Sequence, residues 1–413
     1  MRKCNEVGNM GNLTIEELAS SLGLSSLPEK CRDFFDEVMK DFDKNGCIYT
    51  KPEYYEMLHQ KYGVLQTYLD LYKKAAIEVE KDESLSRFLA LLCRALQDPN
   101  FRNGSYGPLI LPQKENDFSY EMLPALAAAS ELELSYEILK KRHLPEDILQ
   151  DTLRLPESGI PSFMMRHNNR PGYSFLDWFQ LAIGGKLFQL GRLQYEIFCG
   201  FEGNAYVFRN INGEEIALAH NLALHQSGIA LGSKHFEDDT NSWIANVKET
   251  SNSWDGYPLD ERGLVRNEII SLSKNEWKLM LSPGDPVISV HIPANGSLNP
   301  ESVDESLEKA TIFFREYYPD YEYKAFVCYS WLMDPQLIDL LGPDKNISKF
   351  CNRFKKITTK SSGNTVFGYV FWKPDMNFVL EDLPENTSLE RAVKKHYQDG
   401  KAIYGTTGYF FMN

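Results

Sequence analysis

In this chain of 413 residues the side chains best suited to chemistry are His291, Tyr329 and Ser330, with Cys328 and Asp334 close by in sequence. An imidazole titrates near neutrality and suits proton removal from an ammonium substrate, while a Tyr or Ser hydroxyl can donate to a leaving group or hold it. A Cys328 thiolate paired with His291 is a second chemistry open to the same residues. Cys328 and Tyr329 are neighbours on one run, so in a strand one points into a face of the sheet and the other away. Each residue also has a plain reading as a hydrogen-bonded or buried member of a sheet. Their convergence on one strand edge singles them out.

The elements that must position them run from Pro286 to Asp334. Pro286-Val-Ile-Ser-Val-His-Ile-Pro293 is a short apolar, β-branched run; Ala294-Asn-Gly-Ser-Leu298 is a loop; a helix opens at Asn299-Pro300-Glu301; Tyr323 to Leu332 is a second apolar run. Such a unit predicts two parallel strands joined by a right-handed helical crossover, with ligands collecting at the carboxyl ends of the strands. Pro293–Leu298 and Tyr329–Asp334 are then side by side. Gly296 lets backbone approach a ligand, Asn299 suits a cap, Pro300 suits the first helical turn, and free N–H groups there would face an anion. The plainer reading is a capped crossover helix that packs Val303, Leu307, Ala310 and Phe314 on the sheet, its dipole already met by Glu301, Asp304 and Glu305.

Upstream, Leu13 to about Pro124 reads as helical, opening on a Thr14/Glu17 capping box and continuing with 3.6-residue periods such as Leu85, Phe88, Leu92 and Leu96. Asn100 to Asp117 is a loop by composition. Further helices are expected at 121–130, 133–142, 145–153 and 174–183. From Lys186 the texture changes to strands at 186–198, 205–209 and 214–224, with Asn212-Gly213 as a hairpin signal. Residues 228–252 read as loops. Strands at 364–372 and 402–411 flank a helix at 388–398. In the basic stretch Lys345 to Lys356, a helix would gather Lys349, Arg353 and Lys356 on one face, able to clasp a nucleotide phosphate or simply be solvated.

The formal net charge of −14 repels polyphosphate backbones, so nucleic acid is not an expected partner. Seven scattered cysteines without CxxC pairing suggest reduced thiols and a cytoplasmic protein. No signal peptide and no apolar run of about 20 residues is read, so no membrane partner is expected. Asp41-Phe-Asp-Lys-Asn-Gly46 resembles the start of a calcium loop, but its twelfth position is Pro52, where a bidentate Glu is required. The helix from Thr14 to Gly23 is followed by Cys31-Arg-Asp-Phe-Phe-Asp-Glu37, too acidic for a DNA groove, so a helical bundle is the expectation. No metal site is expected.

Leu190-Gly-Arg-Leu-Gln-Tyr195, Gly284 to Pro293, Ser330-Trp-Leu-Met-Asp-Pro-Gln-Leu337, Asn352-Arg-Phe354 and Thr387-Ser-Leu-Glu-Arg-Ala392 together resemble a bacterial family of acyltransferases with a helical N-acyltransferase amino-terminal domain and a GNAT-like carboxyl-terminal domain. The resemblance implies an α+β fold: a mainly helical domain over 1–184, then over 185–413 a GNAT-like mixed β-sheet with flanking helices that splays between two parallel strands. It implies acetyl-CoA or another acyl-CoA as co-substrate, lined by Val290, His291 and Ile292, with Ala294, Asn295, Gly296 and Ser297 at the pyrophosphate. The Arg or Gln with two spaced glycines usual in that loop is replaced here by Ala294-Asn-Gly-Ser297. The expected function is N-acyl transfer to an amine of a small molecule or peptide, with His291 as base or positioning group, Tyr329 or Ser330 at the leaving sulfur and Asp334 orienting. The alternative is a GNAT-like binding module that has lost acyl-CoA use.

Overall fold

The computed structural model describes residues 13–98, 109–236, 241–294, 296–373 and 376–412, and the chain divides into two compact units, Met1–Gly185 and Lys186–Asn413.

The first unit is built from helices. Thr14 Oγ1 accepts from the Glu17 N–H at 3.2 Å and Glu17 Oε2 accepts from the Thr14 N–H at 2.8 Å, so the capping box starts Ile15–Ser21. Leu69–Glu80 packs on Phe118–Ala129, where the alanine-rich run Ala125–Ala129 is buried. Glu83–Leu96 buries Leu85, Phe88, Leu92 and Leu96, the face its period predicts. Leu132–Lys140, Glu146–Arg154 and Leu176–Ile183 lie where the periodicity put helices. Gly159–Arg166 is an additional helix, whose Gly159 and Pro161 disguise the period in the sequence. The calcium-like run belongs to the helix Phe35–Asn45: Asp41 Oδ1 accepts from Asn45 Nδ2 at 2.6 Å and Asp43 pairs with Arg87 at 2.7 Å. Those oxygens are engaged along a helix surface and do not converge on a cation.

In the second unit the strands are β1 (Leu187–Leu190), β2 (Leu193–Gly200), β3 (Ala205–Asn210), β4 (Glu215–Ala219), β5 (Leu222–Leu224), β6 (Trp243–Ala245), β7 (Lys248–Glu249), β8 (Ser253–Gly256), β9 (Ile270–Ser273), β10 (Trp277–Leu281), β11 (Pro286–His291), β12 (Phe326–Tyr329), β13 (Lys355–Thr359) and β14 (Gly405–Phe410). A six-stranded sheet has the order β1-β2-β11-β12-β14-β13, antiparallel except for the parallel pair β11–β12. The crossover helix Pro300–Tyr317 joins that pair. Three small sheets, β10-β3-β4, β5-β6 and β7-β8-β9, fill the segment between β2 and β11.

Side chains alternate across a strand, so the large sheet has two faces. On one, Phe188 stacks near Phe313 (centroids 5.2 Å) and Tyr195 near Phe314 (6.2 Å) of the crossover helix. Val303, Ala310 and Phe314 are fully buried and Leu307 nearly so. Burial of a large apolar side chain contributes about 1.5–3 kcal/mol, against about 1 kcal/mol for a cap. Packing therefore holds this helix, and Asn299, which accepts from the Glu301 N–H at 3.1 Å, sets where it begins. On the far face, Val287, Val327, Ile357 and Tyr409 pack against Val207, Ala217 and Leu281 of the β10-β3-β4 sheet.

Several expectations fail locally. Residues 364–372 hold the helix Thr365–Val370 instead of a strand, with Val366, Phe367 and Val370 buried on one side. The segment 228–252, expected to be loops, contains β6 and β7, and β8, β9 and β10 follow in a stretch for which no element is expected. The run to Leu332 stops being a strand at Tyr329, where a 3₁₀ turn takes over. The basic stretch is not one helical face: the helix ends at Cys351 and β13 starts at Lys355. Lys356 is buried, donating to the carbonyls of Cys351 (3.2 Å) and Phe354 (3.0 Å), while Arg353 pairs with Asp304 at 2.7 Å.

Candidate functional site

The register of β11 with β12 consists of Ile288↔Phe326 and Ser289↔Val327 and then stops. β11 nevertheless continues beside β2 through Val290↔Tyr195 and His291↔Gln194, and β12 continues beside β14 through Cys328↔Gly408 and Tyr329↔Thr407. The parallel pair thus opens after Ser289 and Val327 while each strand keeps its outer neighbour. The Ile288 N–H donates to the Ala325 carbonyl at 3.0 Å, so Ile288 and Val290 are the residues that turn backbone groups towards β12. Val290 is the first of them past the last rung, and its carbonyl faces the opening. The Val290 side chain is buried on the helix side.

Residues paired across a ladder share a face, which places Gln194, Glu196, Ser289, His291, Tyr329 and Thr407 together on the face away from the crossover helix. His291 Nε2 lies 3.0 Å from Glu196 Oε2, both side chains partly exposed. The contact fixes the orientation of the ring. Tyr329 Oη accepts from the Glu202 N–H at 2.8 Å, and the side chain is 37% exposed. Burial of the phenol pushes its pKa above the usual tyrosine value. It is therefore a neutral O–H at working pH, with its oxygen held by a backbone donor and its proton available for donation. The Ser289 hydroxyl is buried at the last rung and has no hydrogen-bond partner.

The other expected residues stand elsewhere. Ser330 Oγ accepts from the Leu332 N–H at 3.2 Å and caps the 3₁₀ turn. Asp334 does not orient His291: it is fully buried and accepts from the Gln336 N–H (2.8 Å), Gln336 Nε2 (3.2 Å) and the Tyr404 N–H (2.7 Å). Burial pushes its pKa up to about 7. Glu196 makes the orienting contact instead; it stands 95 residues from its partner, and no local pattern in the sequence links the two. Cys328 points to the face opposite His291 and is buried, with its thiol pKa pushed far up by desolvation, so the two cannot form a nucleophile–base pair.

Past β11, Ile292 and Pro293 are partly buried and Ala294, Gly296 and Ser297 exposed; Asn295 lies outside the described residues. Gly296 is not required by its backbone: a Cβ there would meet Arg192 Nε at an ordinary 3.6 Å. The carbonyls of Pro293, Gly296 and Ser297 all accept from Arg192, at 2.9, 2.6 and 2.8 Å. Among the described residues no group of His, Cys, Asp and Glu could hold a metal ion, and no helix is long and apolar enough to cross a membrane.

Comparison with curated proteins finds no match. Among solved structures, a mutant acyltransferase in complex with octanoyl-CoA is similar with a TM-score of 0.62 at 18% identity, over 96% of this chain and 99% of that one. An acyltransferase in complex with CoA and 10C-teicoplanin gives 0.61 at 18%, and one in complex with decanoyl-CoA and teicoplanin 0.59 at 18%, each over 96% of this chain and 99% of the other. At that identity the likeness establishes a shared fold. The family model described as GNAT-like C-terminal domain matches residues 187–410, more than half of the chain and nearly the whole second unit. The chain belongs to the family of proteins with a GNAT-like C-terminal domain.

Proposed function

We propose that this protein is an acyl-CoA-dependent N-acyltransferase that moves an acyl group to an amine of a small molecule or peptide. The observation that carries the reading is the break in the β11–β12 ladder with His291, Glu196 and Tyr329 on the face it opens towards. An extended pantetheine arm fits such an opening because the Val290 carbonyl at its edge lacks a strand partner, and an unmet backbone group is where an extended ligand gains hydrogen bonds. Solved structures of the same fold hold octanoyl-CoA and decanoyl-CoA, which supports acyl-CoA as the donor, with medium-length acyl chains. Teicoplanin in two of them supports a peptide-like acceptor. The first unit is then the N-acyltransferase-type amino-terminal domain, over residues 1–184.

In the reaction the amine nitrogen bonds to the thioester carbon, the carbon–sulfur bond breaks, one amine proton is lost and the sulfur leaves as a thiolate. His291 takes the amine proton, and Glu196 stabilises the imidazolium that results. Thiols ionise near pH 8.5, so the leaving sulfur needs little acid help; Tyr329 supplies a hydrogen bond to it. A backbone N–H beside His291 at the opened edge holds the carbonyl oxygen. Most of the acceleration falls to holding amine and thioester together.

The test has two parts. Thermal shift with acetyl-, octanoyl- and decanoyl-CoA reports binding, since a ligand of the folded state raises the melting temperature. Thiol release from the best of these, in the presence of peptide and small amines, reports transfer. A shift together with amine-dependent thiol release supports the reading; a shift without release for any amine favours a binding module; no shift with any donor overturns acyl-CoA use.

A further inference from the structure

Arg192 occupies the two-residue turn Gly191-Arg192 between β1 and β2, closed by the pair Leu190↔Leu193. The turn is locked onto the crossover helix. The buried Ser306 hydroxyl contacts the Leu190 carbonyl, accepts from the Leu193 N–H at 3.1 Å and lies 2.9 Å from Tyr195 Oη. Gly191 has φ +72, a left-handed conformation that glycine adopts without strain, and a Cβ there would meet Ser306 at an ordinary 3.4 Å. The guanidinium therefore reaches the loop after β11 from a fixed base.

Three features of that guanidinium go beyond a tether. It binds three loop carbonyls, of Pro293, Gly296 and Ser297, which draws the anion-repelling ends of those peptides inwards and leaves their N–H ends to face the other way. Neutral carbonyls do not cancel its charge, and among the described residues no carboxylate pairs with it, although burial already disfavours the charged form. Its Nη1 is buried without a hydrogen-bond partner. Of the acids in the crossover helix's opening turns, Asp304 is paired with Arg353, which also donates to the Pro300 carbonyl at 3.3 Å, while Glu301 stands in the first turn itself.

We propose that Arg192 is the positioning residue for the acyl donor's diphosphate: it sets the peptide orientations of the loop after β11 and supplies the uncompensated positive charge beside it. This rests on the acyl-CoA reading above and adds to it the residue that selects a nucleotide-bearing donor over a bare pantetheine thioester. The loop itself carries no cation between Pro293 and Leu298, so the neighbouring hairpin provides one.

The experiment is calorimetric titration of wild type, Arg192→Ala and Arg192→Lys with octanoyl-CoA and with octanoyl-pantetheine, which lacks the diphosphate. Arg192→Ala is expected to weaken octanoyl-CoA binding by roughly 10- to 100-fold, the range for losing a charge-assisted hydrogen bond, and octanoyl-pantetheine binding less than about twofold on the same ground. Arg192→Lys keeps the charge and should recover part of the loss, and added salt should weaken octanoyl-CoA binding more in wild type than in Arg192→Ala. Equal weakening of both ligands in both variants, or no weakening of octanoyl-CoA, overturns the assignment while leaving acyl-CoA use intact. A wild-type protein that binds octanoyl-pantetheine but gains nothing from the nucleotide also overturns it; one that binds neither overturns the acyl-CoA reading itself.

Discussion

His291 and Tyr329 stand at the same register position on the two lips of the opened strand pair, each two residues past the last rung Ser289↔Val327 and each on the face away from the crossover helix. A thioester lying along the opening would have the base on one side and the hydroxyl donor on the other. The arrangement follows from strand alternation alone, because 289, 291, 327 and 329 must share a face once 289 and 327 are paired.

His291→Ala should lower kcat by about 10²–10⁴-fold, the usual contribution of a general base. Binding of acyl-CoA should change little, since the backbone at 290 and 291 is held by β2. Steady-state rates with a saturating amine, beside a donor titration, check this; full activity would remove His291 from the mechanism.

Glu196→Gln keeps an acceptor oxygen for the imidazole but loses the charge that stabilises the imidazolium. A fall in kcat of about tenfold is expected, of the size of a charge-assisted hydrogen bond, with the Michaelis constant for the donor unchanged. A rise in that constant without a fall in kcat would mean that Glu196 contacts the donor.

The cysteines of the described residues should be inert to mild alkylation at neutral pH. Among the described residues Cys199 is the one not fully buried, and its thiol is pushed up to about 11 by burial, so it should react slowly and first. Mass spectrometry after iodoacetamide treatment should show Cys328 unmodified and the protein active; labelling at Cys328 with loss of activity would restore the thiol mechanism.

Asp334 should make stability depend on pH. Its folded pKa, about 7, is above the unfolded value of 3.8, so between those limits the folded state holds a proton that the unfolded state has released. Its contribution to stability is therefore fully present below about pH 4 and is lost as pH rises towards 7. Asp334→Asn should flatten that slope in denaturant melts across pH 4–7, and should lower stability throughout, because an amide has one acceptor oxygen for the N–H groups of Gln336 and Tyr404. An unchanged slope would place the titration elsewhere.

The site was legible in the sequence where local signals and long-range packing agree. Asn299-Pro300 caps the helix it was expected to cap, Ser388–Gln398 is a helix over its expected range, and the strand–helix–strand unit places His291 and Tyr329 as read. Asn364–Trp372 misled because a short run of Val, Phe and Tyr satisfies a strand pattern and a buried helical turn equally well. β7 to β10 escaped because they are short and partly polar and are defined by their partners, β7 to β9 by pairing with each other and β10 by pairing with β3. Glu196 and Arg192 were hidden for a different reason. Each acts on a partner about a hundred residues away, and only the β1-β2-β11 pairing brings them to His291 and to the loop.

The most direct test of the central claim is the structure of the protein soaked or co-crystallised with octanoyl-CoA. The pantetheine arm is expected between β11 and β12 beyond Ser289 and Val327, with the thioester between His291 and Tyr329 and the diphosphate on the loop beside Arg192. Octanoyl-CoA bound with the β11–β12 opening empty would contradict that claim.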